Sequence, residues 1–150
     1  MKKKRAQKLI DECFEPMARA MGLWDPEKLV CYAYKKKGGT PSQMSAEVNP
    51  IYKWTVIRVW SKDINTRHEF LRSLRHELLH VTQTGFHGFF ETASQIIPNQ
   101  RKHDPPRAFQ VLHTQWNRDL ENDMVRLERT MDSLGMTGEE ILRIGKELIP

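Results

Sequence analysis

Phe70, Leu71, Leu74, Leu78 and Val81 recur at steps of one, three and four, which predicts an amphipathic helix. The same stretch reads His76-Glu77-Leu78-Leu79-His80. Residues four apart share a helix face, so both imidazoles can point at one metal ion. Glu77 leaves the helix about 100° away from His76, so its carboxylate can reach a water beside the ion without ligating it. Composition alone, with six histidines in 150 residues, gives about 0.02 matches to this spacing by chance. Periodicity and motif thus demand the same helix.

A catalytic zinc takes three protein ligands and leaves one position open. Three residues downstream are candidates for the third. His87 follows Gly85, where a turn can bring the chain back to the metal. Glu91 falls on the next predicted helix, 89–97, and His103 in a polar loop over 99–106. Closing the shortest loop loses least entropy, which favours His87. The metzincin spacing fails, because its glycine and third histidine would fall at Gln83 and Phe86.

Upstream, Leu9, Ile10, Cys13, Phe14, Met17, Ala18 and Met21 form one stripe of a helix over residues 3–22. Pro16 should kink it or split it, and Gly22 should end it. Asp25-Pro26 restarts the chain as a cap and a first-turn proline. Strand signals follow at 29–34, at 42–48 and, most strongly, at 54–60, where Arg58 is the only charge. Lys35-Lys36-Lys37-Gly38-Gly39 reads as a hairpin tip between the first two. Beyond the polar loop, Phe109, Leu112, Trp116, Leu120, Met124, Leu127, Met131 and Leu134 mark a long amphipathic helix. Thr137 and Glu140 have capping-box spacing and open a last helix to about residue 148. Trp24, Trp54, Trp60 and Trp116 read as core.

The formal charge is +5, from 24 basic and 19 acidic residues. Without Lys2 to Arg5 and Lys35 to Lys37 the acidic residues outnumber the basic ones. The basicity sits in two short clusters, which are either solvated surface or phosphate contacts. No run approaches the ~18 apolar residues of a membrane-spanning helix. The basic start is interrupted by Asp11, Glu12 and Glu15, which argues against secretion. Cys13 and Cys31 build neither a disulfide framework nor an all-cysteine zinc site, and read as core thiols in a reducing cytoplasm.

The stretch from Glu69 to His80, followed by His87-Gly88, resembles the SprT-like (Spartan-type) zinc metalloproteases over about residues 29–97. The resemblance implies His76, His80 and His87 as zinc ligands and Glu77 as general base. It also implies a protein or peptide substrate and DNA as an activator. The cysteine-rich zinc ribbon of some members has no counterpart here.

The expected fold is α+β and a single domain over 1–150. It has a small, mostly antiparallel three-stranded sheet, a zincin-type HExxH helix and a C-terminal helical extension over about 106–150. The expected function is zinc-dependent peptide-bond hydrolysis in the cytoplasm, with nucleic acid as a further partner and no membrane. One rival is a basic DNA-associated binding module with a structural or inactive zinc site, which would have no use for Glu77. Another is a gluzincin-like peptidase with Glu91 as third ligand.

Overall fold

The computed structural model describes residues 1–35, 43–49, 54–82 and 121–150. The fold is α+β, as the element pattern predicts. Helix α1 (Lys3–Ala20) leads into strand β1 (Leu29–Tyr34). Strands β2 (Met44–Asn49) and β3 (Trp54–Trp60), a short 3-10 turn (Ser61–Asp63) and helix α2 (Arg67–Thr82) follow. Helix α3, described from residue 121 to 133, and helix α4 (Gly138–Leu148) complete the described chain.

The sheet is mixed rather than mostly antiparallel. Its order is β1-β3-β2, with β1 parallel to β3 and β2 antiparallel to it. The expected β1–β2 hairpin is therefore not formed, since β3 lies between them. The reason is in β3 itself: it has the longest apolar, β-branched run, and the central position buries such a strand on both flanks. Register puts Leu29, Cys31, Ala33, Thr55, Ile57, Val59, Met44 and Ala46 on one face. Val30, Tyr32, Tyr34, Val56, Arg58, Trp60, Ser45 and Glu47 lie on the other.

The first face carries the core. Leu9, Ile10, Cys13, Phe14 and Met17 of α1 cluster there with Phe70, Leu71, Leu74 and Leu78 of α2. Both thiols are buried and uncrosslinked, and burial pushes the Cys13 thiol up to about 11. Trp60 is buried, Trp24 and Trp54 are half-buried, and Trp116 lies outside the described residues.

Helix α1 runs unbroken through Pro16, so of the two expected outcomes, a kink or a split, the split does not occur. It ends at Gly22, whose φ of 71° lets Leu23 N–H reach back to the carbonyl of Ala18 at 2.8 Å. Asp25 caps a single turn, not a helix: its Oδ1 accepts from Glu27 N–H at 3.0 Å. Thr137 accepts from Glu140 N–H at 3.3 Å and opens α4, as its spacing predicts.

Helix α4 buries Ile141, Leu142 and Gly145. A methyl group at Gly145 would stand 1.8 Å from the carbonyl oxygen of Pro16, so the backbones of α1 and α4 meet there. Alanine is the better helix former by about 1 kcal/mol, but the clash falls on backbone that cannot swing aside. Gly145→Ala should therefore lower stability by about 1–3 kcal/mol. A denaturation midpoint at or above wild type would mean that the two helices do not make this contact.

Candidate metal centre

The apolar stripe of α2 faces the sheet and α1, so His76 and His80 emerge on the far side of the helix. Glu77 sits between stripe and histidines and is buried, with the N–H of Ala46 on β2 donating to its carboxylate. Ser73, one turn earlier, donates to Gln43 Oε1 at 2.5 Å, so β2 lies along this flank of α2.

Helix α3 covers the histidine face. His76 Nε2 and His80 Nε2 are 3.1 Å apart, with ring centroids at 4.7 Å. Glu121 brings one carboxylate oxygen to 2.9 Å from His80 Nε2 and the other to 3.5 Å from His76 Nε2. Donors on a tetrahedral zinc, with bonds of about 2.0–2.2 Å, stand about 3.3 Å from one another. The spacing of these three donors matches that requirement. Two imidazole nitrogens and a carboxylate oxygen are also the chemistry that zinc accepts. His76, His80 and Glu121 could thus hold a metal ion.

Comparison with family models, curated proteins and solved structures found no match.

The groups behind the donors orient them. His76 Nδ1 contacts the Glu128 carboxylate. A carboxylate only accepts, so Nδ1 carries the proton and Nε2 keeps its lone pair for an ion. Arg75, 3% exposed, donates through Nη1 to Asp132 at 2.8 Å and to the Met136 carbonyl at 3.0 Å. Its Nη2 lies 3.9 Å from Glu128. One buried guanidinium thus ties α3 and its C-terminal turn to the residue preceding His76. Burial pushes the Glu77 carboxyl up to about 7, with His76 pulling it down and Glu121 and Glu128 adding to the rise. A cation at the three donors opposes that rise. Glu121 is 58% exposed, so the centre opens to solvent on its side.

Of the sequence-predicted residues, His76 and His80 converge with Glu121, and Glu77 is buried on the same helix outside that group. His87, Glu91 and His103, the three candidates for the third ligand, lie outside the described residues. Glu121 is the residue that sequence reasoning missed. A signal was present, since Glu121, Met124 and Glu128 share a helical face and Met124 is buried. The apolar stripe, which includes Met124, drew attention to its leucines rather than to the glutamates beside it. Leu127 and Leu134 of that stripe are exposed in the structure, 43% and 70% respectively. The polar contacts of Glu121, Glu128 and Asp132 with α2 decide which side of α3 turns inward. Among the described residues no helix is long and apolar enough to cross a membrane.

Proposed function

We propose that this protein is a zinc-dependent peptide hydrolase, with His76, His80 and Glu121 holding the metal and Glu77 acting as general base. The observation that carries this is the convergence of three ligand atoms within 4.8 Å of one another beside a buried carboxylate that is not among them. A divalent ion held there supplies Lewis acidity to a carbonyl oxygen and acidifies water. Glu77 then takes a proton from the attacking water at its carboxylate oxygen as the water oxygen bonds to the carbonyl carbon. It returns the proton to the amide nitrogen as the carbon–nitrogen bond breaks, leaving a carboxylate and an amine. Glu128 keeps His76 in the tautomer that can ligate, and Arg75 keeps Glu128 in place.

This assignment keeps the zinc and the general base that the SprT-like resemblance implies, but takes the third ligand from a separate helix. In that respect it is closer to the gluzincin-like alternative, with Glu121 in the role considered for Glu91. The rival of a purely structural site is disfavoured by the solvent-open side at Glu121 and by the buried Glu77, which such a site would not need.

The test is reconstitution. Chelator-treated protein should leave an unstructured polypeptide such as casein intact, and zinc added back should restore cleavage. Cleavage that survives chelation, or its absence from zinc-loaded protein on any unstructured polypeptide, would contradict the proposal.

A further inference from the structure

The metal row of α2 continues toward the start of the helix. His68, Arg72, His76 and His80 stand four residues apart, so they form one line along the helix, with steps of about 6 Å. The first two border a cavity of about 410 Å³ between α2 and the turn that opens α4. Leu71 and Arg75 line it from α2, and Asp132, Thr137, Gly138 and Glu139 from the other side. A methyl group at Gly138 would stand 2.8 Å from Leu71 Cβ, so glycine lets the first turn of α4 close onto α2. That places the positive end of the α4 dipole at the cavity wall.

The unmet polar groups of this cavity are donors. Both of its carboxylates are engaged: Asp132 accepts from Arg75 Nη1 at 2.8 Å, and Glu139 from Arg67 Nε at 3.0 Å. Arg75 is buried, yet among the described residues its Nε meets no acceptor. Arg72 and His68 are exposed, and among the described residues neither pairs with a carboxylate. Spare donors beside a helix N-terminus select a carboxylate. A free inorganic anion would leave most of the space empty and would gain nothing from Leu71. The side chain of a glutamate sets its methylenes against Leu71 and brings its carboxylate to Arg72.

We propose that this cavity is a subsite for an acidic side chain of the peptide substrate, an inference that rests on the hydrolase reading of the metal centre. Arg72 lies about 9 Å along the helix from the midpoint of His76 and His80. An extended peptide rises about 3.3 Å per residue, so the acidic residue sits about three positions from the bond cleaved at the metal. Arg72 and His68 are then specificity-determining, while Arg75 has the separate task of holding Glu128.

Binding and cleavage test this separately. Matched fluorescein-labelled decapeptides, one with several glutamates and one with glutamines in their place, are titrated by anisotropy into zinc-treated Glu77→Gln protein. The acidic peptide should bind about 5-fold more tightly, and the preference should vanish when Arg72→Gln and His68→Gln are added. Both side chains are exposed, so circular dichroism and zinc content should match the parent. Lys62→Gln, which removes an exposed cation that does not line the cavity, should keep the preference. Equal binding of the two peptides, or a preference that the double substitution leaves intact, would overturn the proposal. Mass spectrometry of the fragments that wild type makes from casein should show Asp or Glu enriched, relative to casein's composition, about three residues from the cut. Adding Arg72→Gln and His68→Gln to wild type should remove the enrichment and leave cleavage. Cuts without that enrichment would also overturn the proposal. A binding preference with no cleavage by wild type would support the cavity as an acidic-peptide site and contradict the hydrolase.

Discussion

Glu77→Gln is expected to retain zinc at the wild-type level and to cleave unstructured polypeptide at least about 100-fold more slowly. Glutamine keeps the shape of the side chain and can still accept from the N–H of Ala46 through its amide oxygen, so the packing between α2 and β2 is preserved. What it lacks is a basic oxygen. Water would then attack without an acceptor for its proton, and the amide nitrogen would leave without a donor. The metal should be indifferent to the change, because Glu77 is not among the three converging donors. Zinc content by mass spectrometry and cleavage rate on the same sample separate the two effects. Full activity in Glu77→Gln would remove the general base, and loss of zinc with loss of activity would make Glu77 a ligand instead.

What the sequence revealed, and what it hid, follows from the range of the forces involved. The α2 helix and its two histidines were legible because periodicity and motif are both local: Phe70, Leu74 and Leu78 fix one face and thereby place His76 and His80 on another. The strands 29–34 and 54–60 were legible for the same reason. Their order was not. The glycines at 38–39 suggest a hairpin, but the competition for the central position is settled across the sheet, where β3 has the most apolar surface to bury. Glu121 was hidden because its partners lie over forty residues earlier. The pattern around it, read as an apolar stripe through Leu127 and Leu134, ranks residues by hydrophobicity and cannot register a face selected by Arg75 and His76.

The second large effect is expected at the metal ligands. His80→Ala and Glu121→Gln should each weaken zinc binding by at least about 100-fold, because each removes one of three donors. Glutamine at 121 keeps an oxygen but loses the charge that favours a dication beside two neutral imidazoles. Glu128→Gln should weaken binding less, by about 10-fold, since it disturbs only the orientation and basicity of His76. Glu121 stands at the open side of the centre, 58% exposed, so its substitution should not disturb the core of Phe70, Leu74 and Leu78. The contrast with His87 is what matters most, because the sequence points to that residue, which lies outside the described residues, while Glu121 is the third donor found among the described ones. Zinc affinity of wild type, Glu121→Gln and His87→Ala, measured by competition against a chromophoric chelator, compares them directly. Wild-type affinity in His87→Ala with a loss of at least about 100-fold in Glu121→Gln is the predicted result. A loss confined to His87→Ala, or a wild-type protein that takes up no zinc, would contradict it.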